Sequence, residues 1–477
     1  MMKVKSSNYL KQIKSLLRTL LDRLLQEYSY VSILASDSVS KQYGVSKQGI
    51  YAGESGLLAG RGFVIKVYDG SSYSEFSYND ITEEKIEEII EDIRHLLSSS
   101  SNVLPEGLEL SNYKPLPDES LTFCESTEYE IDPEQLGDET IINRLVALSK
   151  QGKEANEKIL DCNVFCNYQK YSKLFLSKNR DMEQNVLWMP AGVSALAVRG
   201  EEIKDCYQSY SNLGGAEILD KLEQGIPVVV NTAVELLESE SIKPGEYECI
   251  CTPNVTGMIV HEAFGHGVEM DMFVKKRAQA EQFIGKQVAS PLITMHDGAA
   301  ATKEVASYFF DDEGVPAKDT MIIDHGILVA GLSDSQSAML LETKPTGNGR
   351  RESYERKAYT RMTNTFFEAG KDSVEDMIAS IKDGFLLDNA TSGMEDPKNW
   401  GIQCMVNFAR EIKDGKLTGK IFSPIVLTGY VPDLLKSISM VSDKIELGGG
   451  GMCGKGYKEW VKVSDGGPYI KAKIRLG

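Results

Sequence analysis

The sequence predicts an α+β protein, with N-terminal α/β units followed by a mostly antiparallel β C-terminal unit. Three observations carry this. Apolar residues recur at helical spacing near the start and again after residue 80, alternate at strand spacing between, and beyond residue 240 fall in short runs punctuated by Gly-centred turns. The 477 residues are too many for one ordinary hydrophobic core, so several domains are expected.

Leu10, Ile13, Leu16, Leu17, Leu20, Leu21, Leu24 and Leu25 stand three and four apart and predict a helix with one buried stripe. From Tyr28 to Tyr78 the pattern is strand-like, with turns at Gly44, Gly49, Gly53, Gly56, Gly60-Arg61-Gly62 and Asp69-Gly70. Asp80 and Glu83 form a capping box before a helix burying Ile86, Ile89, Ile90, Ile93 and Leu96, which completes an α+β domain over 1–100. A Ser run with Pro105, Gly107, Pro115 and Pro117 has little to bury and marks a linker over 101–118. A middle α+β domain is expected over 119–240: a helix from Asp138, antiparallel strands to about Val198, then two helices, Ala216 to Gln224 and Pro227 to Glu240. The turn Lys243-Pro244-Gly245-Glu246 opens a C-terminal domain, 241–477, with hairpin signals at Asp297-Gly298, Asp324-His325-Gly326 and Asp414-Gly415.

Composition excludes several classes. Lys and Arg number 52 against 70 Asp and Glu, a net charge of −18, which repels nucleic acid and anionic lipid. The longest basic cluster, Lys275-Lys276-Arg277, has acidic neighbours and reads as a solvated turn. No apolar stretch is long enough to span a membrane, and the start lacks the apolar core of a secretion signal, so a cytoplasmic protein is expected. Eight scattered cysteines suit reduced thiols, and the pairs Cys162/Cys166 and Cys249/Cys251 lie in strand-like runs as buried thiols.

The chemistry concentrates in His261-Glu262-Ala263-Phe264-Gly265-His266-Gly267, which holds two of the five histidines. Zinc-protease helices place two histidines at i and i+4 with a glutamate beside the first. Here the spacing is i and i+5, about 140° apart on a regular helix, and a π-type turn would realign the rings. Gly265 and Gly267 lower the steric barrier to such a turn. His261 and His266 then supply two ligands for Zn²⁺, with Glu262 free to act as general base on the attacking water or to orient a histidine. Glu269 and Asp271 are local candidates for a third ligand, and a distant one is preferred. Cys453 lies among glycines in Gly448 to Gly456, with Lys455 near enough to favour a thiolate, the form that binds zinc and also the form that attacks carbonyls.

On these residues, together with Asp311-Asp312-Glu313-Gly314, Pro345 to Glu352, Arg361-Met362-Thr363-Asn364-Thr365 and Met452-Cys453-Gly454-Lys455, the chain resembles the TldD/PmbA family of metalloproteases. The resemblance implies a TldD-like catalytic subunit whose zinc is held by His261, His266 and Cys453, with Glu262 as general base. It also implies a dimer, with a TldE/PmbA-like partner or a second copy, enclosing a chamber in which unfolded peptides are cut. Residues 396–404 and 456–460 depart from the family pattern, which bears on substrate preference. Two other readings have their own tests: a silent peptide-binding or assembly subunit with structural zinc would show a closed four-ligand site, and a cysteine amidase using Cys453 would survive chelation.

Overall fold

The computed structural model describes residues 1–100, 113–456 and 459–477. The expected linker therefore lies largely outside the described residues, as do Tyr457 and Lys458 of the divergent 456–460 segment.

The first helix, Asn8–Leu24, is capped by Ser7, whose Oγ accepts the Leu10 N–H at 3.2 Å, and it buries the predicted stripe except Leu16 and Leu25, which are half-buried. It lies with the helix Lys85–Ser100 over strands Tyr30–Ser46 and Gly60–Tyr68. Of the stripe predicted for that second helix, Ile86, Ile89, Ile90 and Ile93 are buried while Leu96 faces solvent. Tyr30–Ser46 does not end its sheet there. It pairs antiparallel with Ile159–Ser177, from Ser32 opposite Ser177 to Val45 opposite Val164. The strands expected in the first and middle units thus form one eight-stranded sheet, in the order Glu202–Asn212, Arg180–Arg199, Ile159–Ser177, Tyr30–Ser46, Gly60–Tyr68, Tyr73–Tyr78, with two strands off this path. Helices Asp138–Glu154 and Leu219–Leu236 cover its other half.

The two helices expected around Pro227 are a single helix, Leu219–Leu236. Proline costs the interior about 3 kcal/mol, but Leu222, Ile226, Val229, Val230, Ala233 and Leu236 are all buried, and that apolar face holds the helix together across the proline.

The C-terminal region is mostly antiparallel, as predicted, with two large sheets and two two-stranded ones. In one, Gly245–Cys251, Asp383–Asp396, Gly401–Lys413, Ile425–Tyr430 and Ile470–Leu476 pair in sequence, and the last pairs back onto the first, closing a five-stranded ring. The other runs Ile327–Leu328, Thr320–Asp324, Met295–Asp297, Asn364–Phe367, Ser464–Gly467, Glu446–Gly448. Asp324-His325-Gly326 and Asp414-Gly415 turn hairpins, with positive φ at His325, Gly326, Asp414 and Gly415. Asp297-Gly298 does not. The Asp297 carboxylate is buried, accepting bonds from Thr363 N–H and from the side chains of Thr363, Thr365 and Asn348. All eight cysteines are free thiols.

Candidate metal centre

Between the two C-terminal sheets, the chain leaves strand Gly245–Cys251, enters the helix Pro253–Met258 and passes into a π-helical turn over Ile259–Gly265. The His266 N–H donates to the His261 carbonyl, the i to i+5 bond that defines such a turn, and the two rings come to 5.2 Å between centroids. The realignment that the spacing required is present. Its cause differs in detail. Gly265 has an ordinary helical φ of −60°, so its service is space: a Cβ there would stand 2.2 Å from Met362 Sδ. A Cβ on Gly267 would stand 2.8 Å from a Glu395 carboxylate oxygen.

Cys453, on the short strand Met452–Cys453 paired with Val461–Lys462, closes the cluster. Its Sγ lies 3.2 Å from His261 Nε2 and 3.4 Å from His266 Nε2, and one ligand atom from each residue falls within 4.8 Å of the others. A tetrahedral ion with nitrogen at about 2.0–2.1 Å and sulfur at about 2.3 Å holds such atoms about 3.5 Å apart, so the donor set fits zinc. Burial works against a Cys453 thiolate, but the His261 charge and hydrogen bonds from both rings outweigh it and hold the thiol down at about 4. Burial likewise opposes charge on the imidazoles, and the thiolate raises both, His266 well above its ordinary value with help from Glu269.

Glu269 and Asp271 stand outside this three-residue cluster. Glu269 is buried with Lys455 Nζ at 3.1 Å, Arg361 Nε at 3.4 Å and His266 Nδ1 at 3.4 Å. Burial would lift its carboxyl, but the Lys455 charge, His266 and Arg361 hold it well below the usual carboxylate range. Asp271 pairs with Lys455 at 2.7 Å and Lys275 at 3.0 Å. Lys455 is thus committed to carboxylates, and the charge beside the thiol comes from the imidazoles and from Arg361, a buried guanidinium whose Nη2 donates to Sγ at 3.0 Å.

Glu262 sits on the open side. Its side chain is 22% exposed and that of His266 20%, with 3.9 Å between Oε2 and Nε2. Burial, partly offset by the two imidazoles, raises its carboxyl above the usual range. The motif segments at 346–352 and 361–365 are tied into the fold by hydrogen bonds: Arg350 donates to the Met362 and Lys462 carbonyls, Asn348 to the Arg361 carbonyl, and Arg351 to Glu75 of the first sheet. The divergent 396–404 stretch puts Trp400, fully buried, against Phe283 at 4.7 Å and against Phe264 of the π turn at 6.2 Å. The glycine loop is tied to the middle unit by Gly449 N–H donating to Ser211 Oγ at 2.9 Å.

Sequence reasoning missed three residues of the site: Arg361, Glu395 and Asp465, the last pushed by burial up to about 6 near His261. Arg361 lay in a recognised motif, and nothing in its neighbours showed that it reaches Cys453.

Residues 244–475 match the sequence profile of the PmbA/TldA metallopeptidase C-terminal domain. A metalloprotease of Methanocaldococcus jannaschii is 25% identical over 452 residues, 94% of this chain and 97% of that protein. A zinc metalloprotease TldD homologue of Saccharolobus solfataricus is 30% identical over 246 residues, which cover 51% of this chain and 54% of that protein. Among solved structures, TldE from Thermococcus kodakarensis superposes with a TM-score of 0.72 at 19% identity, covering 97% of this chain and 99% of that one.

Proposed function

The chain belongs to the TldD/PmbA metallopeptidase family, and on that premise we propose that it is a zinc-dependent protease of unfolded or extended peptides. The observation that supports this best is the convergence of two imidazole nitrogens and one thiolate, with a carboxylate on their open side. His261, His266 and Cys453 would hold the ion, as the zinc named for the Saccharolobus relative suggests. Bound there, zinc supplies Lewis acidity and a water that ionises near neutral pH. Glu262 takes the proton of the attacking water and returns it to the leaving amine, a task suited to a carboxyl raised by burial. Glu269 orients His266 through Nδ1.

The alternatives fit less well. Among the described residues no fourth donor joins the three, which favours an open coordination position over a closed structural site. The thiol is 7% exposed and already engaged by Arg361 and both rings, a poor arrangement for a nucleophile that must reach a carbonyl. The net charge of −18 argues against nucleic acid, and no helix among the described residues is long and apolar enough to cross a membrane. Assembly with a TldE/PmbA-like subunit, or with a second copy, would enclose the site in a chamber and restrict it to unfolded chains.

The test is paired. Glu262→Gln should retain stoichiometric zinc and lose cleavage of denatured casein by at least about 10²-fold, while Cys453→Ala should lose the metal on dialysis. Wild-type cleavage by Glu262→Gln, or full zinc in Cys453→Ala, overturns the reading.

A further inference from the structure

One carboxylate at the site has no task in that mechanism. In the strand Asp383–Asp396, Gly393 and Glu395 point to one face, since side chains alternate along a strand, and Met394 between them faces solvent. That face lies over the π turn. A Cβ on Gly393 would stand 2.5 Å from Glu262 Cγ, and the Glu395 oxygens lie 2.8 and 3.2 Å from where a Cβ on Gly267 would be. Gly267 follows His266, and adjacent Cα atoms are about 3.8 Å apart, so the carboxylate sits within about a residue's length of the cluster.

Both Glu395 oxygens are shielded from solvent and neither has a hydrogen-bond partner. Glu269, another deeply placed site carboxylate, has Lys455 and Arg361 beside it. Glu395 has no lysine or arginine beside it: burial raises its carboxyl well above the usual range, Glu262, Glu269 and Asp396 add to that, and only His266 opposes it. An unpaired buried carboxylate is costly, and such an exception in a native fold calls for a ligand or a functional reason. What it lacks is a cation with N–H donors, and a peptide entering the site carries such groups.

We propose that Glu395 is a specificity-determining residue of the peptidase site proposed above, receiving a cationic group of the substrate, either its free α-ammonium or a basic side chain beside the scissile bond. The inference rests on that site being a peptide site, and binding rather than turnover separates the two. The zinc-loaded full chain carrying Glu262→Gln is titrated by calorimetry with pentaalanine, N-acetyl-pentaalanine, and an N-acetylated peptide with one central lysine. At least one cationic peptide should bind about tenfold or more tightly than the neutral one, as expected for a charge-assisted hydrogen bond. Preference for free pentaalanine assigns the α-ammonium, and preference for the lysine peptide assigns the side chain. Adding Glu395→Gln should remove the preference and leave the affinity for the neutral peptide within about threefold. Equal binding of all three peptides, or a preference that survives Glu395→Gln, overturns the inference. Failure of the wild-type protein to cut any peptide, with the binding preference intact, sinks the protease reading alone.

Discussion

In the metal-free protein Cys453 is a thiolate far below the pH at which cysteines ordinarily ionise, and the fold makes this directly observable. The other seven thiols are silent. Burial pushes Cys162, Cys166, Cys206 and Cys404 up to about 12 and raises Cys124, Cys249 and Cys251 as well. Thiolate absorbance at 240 nm between pH 3 and pH 8 therefore reports Cys453 alone. With its thiol held at about 4, the fraction ionised at pH 6 is about 99%, against about 0.1% for an unperturbed thiol near 9. Replacing His266 by alanine removes one of the two imidazoles that hold the thiolate and should move the midpoint up by at least about one pH unit, equivalent to about 1.4 kcal/mol. His261→Ala should move it further, since the His261 charge weighs most against burial. A wild-type midpoint near 8 to 9, or one that neither substitution moves, would refute the imidazolium–thiolate account of the site.

Three further outcomes follow from the surrounding structure. The Glu75 carboxyl, 20% exposed, would be raised by burial, but Lys66 and Arg351 hold it at about 2 against an ordinary 4.5. A depressed pKa stabilises the fold above the ordinary value and loses that contribution as pH falls from 4.5 through about 2. Glu75→Gln should thus cost about 3 kcal/mol at pH 7, with the gap in urea midpoint from wild type narrowing toward pH 3. Gly265→Ala forces a Cβ to 2.2 Å from Met362 Sδ. It should cost about 1–3 kcal/mol of stability and weaken zinc binding, with Met362→Ala restoring part of both in thermal melts and zinc titrations. Arg361→Met leaves the buried Glu269 with one cation fewer and should cost about 3–5 kcal/mol, read from the unfolding midpoint.

How far the sequence could be read depended on how far apart the contacting residues are. The helix Asn8–Leu24 and the hairpins at Asp324 and Asp414 are set by residues close together in the chain, and pattern alone located them. The shared N-terminal sheet is different. Val31, Ile33, Leu34 and Ala35 are all buried, the near-continuous apolar run of a strand covered on both faces. That run showed burial, but its partner Ile159–Ser177 is paired more than a hundred residues away, beyond anything local spacing encodes. The same limit explains Pro227, where a local helix-breaking signal was overridden by burial of both flanking apolar faces.

At the metal centre the same distinction separates geometry from chemistry. The i to i+5 spacing of His261 and His266 demanded a π turn because the requirement is local, and a single backbone bond meets it. Everything that makes the turn affordable to the fold comes from elsewhere: the space beside Met362, Trp400 packed on Phe264, and Arg361 on the Cys453 sulfur. Glu269 and Asp271 looked like ligands because carboxylates next to a histidine usually compete for a metal. Lys455, only two residues from Cys453, reaches across and neutralises both. The loop that places the Cys453 thiol beside His261 therefore also pairs Asp271, and one segment, Cys453-Gly454-Lys455, shapes the candidate site at both ends.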